Sequence, residues 1–365
     1  MRSKILAAAG AAALATATTA QAAPPRVAAD ILPVHSLTAR VMQGVGEPTL
    51  VLPPGASPHG HAMRPSEAAA LEGADLVFWV GEALTPWLHD ALETLAADAR
   101  TVALLEAPGV RQLAFRQGVT FAAHDHGDEH AHDAAHEDGH AHDEEPAHGA
   151  EHAHGDGHAH DDEHGHEEEH AHGDGHAHGS EHADAHDDHA HDGVDPHAWL
   201  DPANARAWLD AIAAALSSAD PANAGAYRAN AEAGKAELTA LEAEIAAEVA
   251  PLAGRDFVVF HDGYHHFEAR FGVEAAGAVS LGDGSTPGPR RLAEIRAAIA
   301  AMDAACVFTE PQFPPRLAET AVEGTGARLG TLDPVGAELA PGPDLYPTLL
   351  RNMAESLKAC LGPTG

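Results

Sequence analysis

Cysteine is nearly absent from this chain. Its 365 residues include two, Cys306 and Cys360, so at most one internal disulfide can form. An exported chain meets an oxidising compartment, which makes a Cys306–Cys360 bond the expectation and two buried free thiols the alternative. Basic residues are few as well. Lys and Arg total 20 against 56 Asp and Glu, a formal net charge of −36. That balance argues against nucleic acid or an anionic membrane as a partner. Long hydrophobic runs are missing: the apolar stretch from Ile5 to Leu14 is too short to span a bilayer. No G-x-S-x-G nucleophile elbow occurs either.

Histidine is what the chain has in excess. Twenty-two of its thirty histidines lie between His124 and His191, among twenty-two Asp or Glu and no Lys or Arg. Nine His-x-His pairs recur there, including His124/His126, His152/His154, His158/His160, His170/His172 and His176/His178. Neutral imidazole is the commonest protein ligand for transition metals, and interspersed carboxylates concentrate cations. The tract therefore reads as metal binding, with these histidines as secondary ligands. Alanine and one proline are its only apolar residues, too little to build a core, so it should be a disordered loop, at 124–193, interrupting a domain.

The N-terminus has Arg2 and Lys4, the short apolar run, and then Ala20-Gln21-Ala22. This is the pattern of a secretory signal peptide over 1–22. No cysteine stands near the cleavage point, so a lipid anchor on a mature N-terminal Cys is excluded. The mature chain is expected to start near Ala23 and to be soluble outside the cytoplasmic membrane.

Strand-like runs at 27–34, 49–52, 76–80 and 102–105 alternate with helical stretches at 36–45, 66–71 and 87–97, with Ser66 as an N-cap. After the tract, runs at 257–260, 274–280, 306–309 and 328–332 alternate with helices at 289–302, 316–324 and 346–360. Such alternation predicts parallel sheets. The expected fold is α/β, two lobes of parallel β-sheet flanked by helices: an N-terminal lobe over 23–219 and a C-terminal lobe over 253–365. Between them, Leu238, Leu241, Ile245, Val249 and Leu252 make one apolar stripe. With Asp220 as N-cap and Pro221 at the first helical position, a single long helix over 220–252 is expected to join the lobes.

Open α/β sheets bind ligands beyond the C-terminal ends of their strands. Metal-capable residues there are His59, with His61 two residues on, His261 and Asp333; His197 stands where the tract returns to patterned sequence. Three imidazoles and a carboxylate suit a tetrahedral Zn²⁺ site.

These residues sit in recognisable blocks. Gly55-Ala56-Ser57-Pro58-His59 with Arg64-Pro65-Ser66 resembles the first ligand motif of the metal-binding solute receptors of ABC importers. Asp195-Pro196-His197-Ala198-Trp199-Leu200-Asp201-Pro202 resembles the second. Val259-Phe260-His261-Asp262-Gly263-Tyr264, Phe308-Thr309-Glu310-Pro311-Gln312-Phe313 and Thr331-Leu332-Asp333-Pro334 resemble the others. The likeness is strongest to the zinc-specific, ZnuA-type periplasmic receptors, which also have an acidic His-rich loop and cysteines at places like those of Cys306 and Cys360. It implies a periplasmic Zn²⁺ receptor with His59, His197 and His261 as ligands and Asp333, a water or a loop residue in the fourth place. It also implies two lobes on a rigid helix, and permease and ATPase partners for a chain expected to act as a monomer. Histidine at 261 points to zinc, since Mn²⁺ favours oxygen-rich sites.

Other functions compete with this one. His124-Asp125-His126-Gly127-Asp128 resembles part of an H-x-H-x-D-H metallohydrolase signature, but Glu129 replaces its last histidine. A periplasmic metal buffer would need only the tract, and would not need the ordered constellation outside it. A receptor for another divalent metal, Ni²⁺, Cu²⁺ or Mn²⁺, is a further alternative; imidazole sites bind the first two as well or better.

Overall fold

Short parallel strands need crossover connections, and this chain supplies them twice over on one plan. A computed structural model describes residues 23–116, 120–121, 193–280 and 287–363. All of these belong to one compact unit. The expected signal peptide lies outside them, as do the tract histidines His124, His126, His152, His154, His158, His160, His170, His172, His176 and His178.

In the first lobe β1 (Val27–Ala29), β2 (Thr49–Leu50), β3 (Leu76–Trp79) and β4 (Arg100–Ala103) pair in parallel, in the order β2-β1-β3-β4. In the second, β5 (Phe257–His261), β6 (Gly277–Ser280), β7 (Cys306–Thr309) and β8 (Arg328–Thr331) pair in parallel as β6-β5-β7-β8. The helices are α1 (Leu32–Met42), α2 (Pro65–Glu72), α3 (Pro86–Leu95), α4 (Pro202–Ala219), α5 (Ala224–Val249), α6 (His265–Phe271), α7 (Pro289–Ala301), α8 (Arg316–Val322) and α9 (Leu345–Leu361).

Period-two alternation assigns each strand residue to a layer. Leu76 and Phe78 of β3, with Phe257 and Val259 of β5, face a core shared with α1, α4, α5 and α9. Val77 and Trp79 face a smaller cluster with Leu71, Leu88 and Leu92 of α2 and α3. Val258 and Phe260 do the same with Ile295, Ile299, Ala318 and Ala321 of α7 and α8. One long helix joins the lobes: α5 packs on α1 and α4 and also on α6 and α9. Its stripe of Leu238, Leu241, Ile245 and Val249 is buried, and a 3-10 turn, Ala250–Leu252, carries the chain on. Gly234 does not break it. A Cβ there would stand 3.0 Å from Leu209 Cδ1, so glycine is where α4 crosses closest. A disulfide joins Cys306 on β7 to Cys360 on α9.

Several expected boundaries move. The first strand stops at Ala29 and residues 32–34 open α1, because Pro33 is preorganised for a first helical turn. Helix α2 starts at Pro65, not after Ser66: the Glu67 carboxylate accepts from the Arg64 amide and makes Arg64 the cap. Asp220 ends α4 rather than starting α5, its carboxylate accepting from Asn223 Nδ2 and Tyr227 Oη. Helices α4 and α6 were not expected. The Asp201-Pro202 pair announces α4, since Asp201 caps the Ala203 amide; the seven residues of α6 are too few to show a period.

The described residues flanking the tract touch both lobes. An antiparallel bridge pairs Ala114 with Val194, and another pairs Thr120 with Gly277 on β6. Arg116 reaches from this stem into the second lobe, to Asp262 (Nε to Oδ1, 3.0 Å) and Glu268 (Nη1 to Oε2, 2.5 Å). Its guanidinium lies 3.8 Å over the Phe121 ring.

Candidate metal centre

Two central strands, β5 and β7, end beside one another at His261 and Glu310. His261 is the last residue of β5, and Glu310 follows β7 directly. The Glu310 Oε1 atom lies 2.5 Å from His261 Nδ1. His197 sits at the start of a 3-10 turn, Ala198–Leu200, and its Nδ1 is 2.7 Å from Asp195 Oδ1. Each carboxylate accepts an N–H from Nδ1 and so sets the tautomer, leaving Nε2 with a lone pair. His59 arrives on the loop after β2, which is held where Trp87 Nε1 donates to the Pro58 carbonyl.

The three Nε2 atoms converge. His197 Nε2 is 3.2 Å from His59 Nε2 and 3.3 Å from His261 Nε2. Nitrogens at 2.0–2.1 Å from one tetrahedral centre stand about 3.3 Å apart, so the spacing fits Zn²⁺. His197 and His261 are buried and His59 is half-buried. The cavity they line is about 10 Å³, space for one water-sized or ion-sized occupant, with Trp199, Phe313, Pro334 and Val335 as its apolar wall. A side chain at Gly263 would intrude: its Cβ would press into His261 Nε2 and stand 3.1 Å from His197 Nε2.

Electrostatics separate the imidazoles. Burial, then the neighbouring His197 and His261, holds the His59 pKa well below the usual value and keeps the ring neutral. Burial is the largest influence on His261 and disfavours its charge, but the Glu310 carboxylate, together with Asp262 and Asp195, outweighs it and raises the pKa. Asp195 is fully buried, yet its contacts with His197 outweigh burial and pull it down to about 2. It stays ionised as a fixed acceptor.

Of the residues expected at the site, the fold brings His59, His197 and His261 together. Asp333 is not among them. Its Oδ1 accepts from Gln312 Nε2 at 3.1 Å, Val335 N at 3.2 Å and Gly336 N at 2.9 Å. Its Oδ2 accepts from Ala337 N at 2.6 Å. An Asp at the head of a turn captures the amides that follow it, and this carboxylate is held on its own turn and does not line the cavity. His61 is turned aside too: its Nε2 lies 2.8 Å from Glu67 Oε2 and its ring edges against Trp87. His35, within α1, bonds the Pro48 carbonyl. His266 supports the site from outside: its Nε2 bonds the Asp195 carbonyl at 3.2 Å.

Sequence reasoning missed the orienting carboxylates. For Asp195 a signal existed, an acid two residues before a candidate ligand histidine. Glu310 stood in the Phe308–Phe313 block, but the ring it orients is remote in sequence and could not be read there. A second group, His89 with Asp90 and Glu93, gathers on the outer side of α3, where both carboxylates are exposed.

A family model described as "Zinc-uptake complex component A periplasmic" (ZnuA) matches residues 27–360. The chain belongs to this family. It is 44% identical over 354 residues to the high-affinity zinc uptake system protein ZnuA of Paracoccus denitrificans, covering 96% of this chain and 97% of that one. To the protein of the same name from Brucella abortus it is 41% identical over 336 residues, covering 92% and 91%. In fold it is similar to a ZnuA deletion mutant crystallised with zinc bound: TM-score 0.65, 18% identity, 94% of this chain and 100% of that one. It is likewise similar to the periplasmic zinc-binding protein TroA of Treponema pallidum: TM-score 0.65, 16% identity, 93% and 100% coverage.

Proposed function

We propose that this chain is the receptor of a zinc importer. It captures Zn²⁺ with His59, His197 and His261 and hands it to the permease and ATPase subunits of an ABC transporter. The observation that carries the reading is the convergence of three imidazole Nε2 atoms, at spacings of 3.2 and 3.3 Å, on a cavity with room for one ion. Asp195 and Glu310 hold two of the rings in the ligating tautomer. The family supports the periplasm as the place of capture, with residues 1–22 as the export signal. All three rings come from one chain, so a monomer suffices.

Binding and release, not catalysis, fit a cavity this small. Two tract stretches, 136–140 and 166–170, meet the H-E-x-x-H spacing of zinc hydrolases. Where His and Glu recur so densely, composition alone produces such matches. The tract itself gathers or buffers metal for the folded site.

Competition with a chelator tests the ligand set. His59→Ala, His197→Ala and His261→Ala are each expected to weaken Zn²⁺ by more than about a hundredfold, beyond the loss typical of outer partners. Asp333→Ala and His61→Ala should have smaller effects. Wild-type affinity in His261→Ala would refute the assignment.

A further inference from the structure

The side-chain amide of Gln312 is held in one orientation, and one of its two polar atoms has no partner among the described residues. Gln312 follows β7 and lines the same cavity as the three imidazoles. Its Nε2 donates to Asp333 Oδ1 at 3.1 Å. The opposite flip would set the amide oxygen against a carboxylate oxygen, two acceptors with no proton between them. Asp333 therefore decides which end of the amide is which. Oε1 is left buried, and among the described residues no donor reaches it. Buried acceptors are nearly always paired, so one left over beside a cluster of metal-capable rings points to a donor that arrives with the ligand.

Three imidazoles supply three of the four ligands that Zn²⁺ takes. Asp333 is already engaged by four donors, three of them backbone amides. A water on the cation is the natural fourth ligand. The charge of the ion makes its protons strong hydrogen-bond donors, and a neutral amide oxygen accepts one without adding charge to the cavity.

We propose that Gln312 Oε1 accepts a hydrogen bond from the water that completes the coordination of captured Zn²⁺. Gln312 is then a positioning residue, and Asp333 is the group that aims it. The inference rests on His59, His197 and His261 being the Zn²⁺ ligands. It gives Asp333 a role outside the ligand set, and it leaves the fourth place exchangeable. Release to the permease then breaks bonds to three rings rather than to four protein groups.

The test uses the full-length chain with Gln312→Leu. Zn²⁺ affinity by chelator competition is expected to fall about tenfold to a hundredfold, the range seen when outer-sphere partners are removed. The visible spectrum of the Co²⁺-loaded variant should match wild type, because no protein ligand is lost. The metal-free variant should melt near the wild-type temperature, while the rise on adding Zn²⁺ shrinks. A purely structural Gln312 would give the reverse, a lower metal-free melting temperature with the Zn²⁺-induced rise intact, and would overturn the proposal. Should the variant fail to fold, a crystal structure of wild type with Zn²⁺ decides. A water within bonding distance of both the ion and Oε1 supports the proposal; Oε1 or the Asp333 carboxylate bound directly to the ion overturns it. The two layers fail separately. If His261→Ala binds like wild type, the reading of the site is wrong; if the histidine variants lose Zn²⁺ and Gln312→Leu does not, this inference alone is wrong.

Discussion

His59 and His261 face one cavity but treat a proton differently. Beside Glu310, burial notwithstanding, His261 has a raised pKa, whereas burial holds His59 far down. Below the raised pKa the metal-free protein carries a proton on His261 that Zn²⁺ must displace. Apparent affinity should therefore be flat at alkaline pH and fall about tenfold per unit once pH drops below the His261 value. The fall should begin above about 6.5, where an ordinary histidine titrates. Zn²⁺ titrations between pH 5.5 and 8.5 would show it, and Glu310→Gln should move the onset down; affinity that stays flat through pH 6 would count against it. Gly263 gives a steric test at the same scale. A methyl there would occupy space against His261 Nε2 and His197 Nε2. Gly263→Ala is expected to abolish tight Zn²⁺ binding while the metal-free fold survives, read by calorimetry beside far-UV circular dichroism.

At the scale of elements, Arg116 ties the stem of the tract to the second lobe. Its side chain is 9% exposed, and those of Asp262 and Glu268 are 1% and 2% exposed. Arg116→Met would strand two buried carboxylates, so the metal-free protein should lose about 3–5 kcal/mol in urea unfolding. Arg351 with Glu244 is the contrast, a pair bridging α9 and α5 at 40% and 49% exposure. Arg351→Met should cost only about 0–1 kcal/mol. Equal losses would mean that Arg116 is not the clamp its burial suggests. Periodicity could not have found it: Arg116 lies in no regular element, and both of its partners belong to the other lobe.

For the whole molecule, the question is how the tract relates to the folded site. The Ala114–Val194 bridge closes the chain on either side of it. Removing residues 124–191 should therefore leave the three imidazoles in place. Calorimetry of the shortened chain is expected to keep one tight Zn²⁺ site and lose several weaker ones. Occupancy of those weaker sites in the full chain should fall steeply below about pH 6, where histidines bind protons. Growth should suffer only when a chelator makes zinc scarce. Loss of the tight site along with the tract would overturn this division of labour.

The alternation of strands and helices, the buried stripe on α5 and three of the proposed ligands were legible in the residue order alone. Each is a local pattern: hydrophobic periodicity reports burial, and a histidine beyond a strand end in an α/β protein points at the cleft. The disulfide was legible because only two cysteines exist. What spacing cannot encode is the direction of a side chain relative to groups remote in sequence. Tertiary structure alone decided that Glu310 meets His261 and that Arg116 crosses to Asp262 and Glu268. It also turned Asp333 onto the amides of its own turn, and His61 onto Glu67, away from the three rings. Sequence could nominate five residues for one metal. Packing brought three of them together, because the amides of its own turn hold the Asp333 carboxylate where it stands.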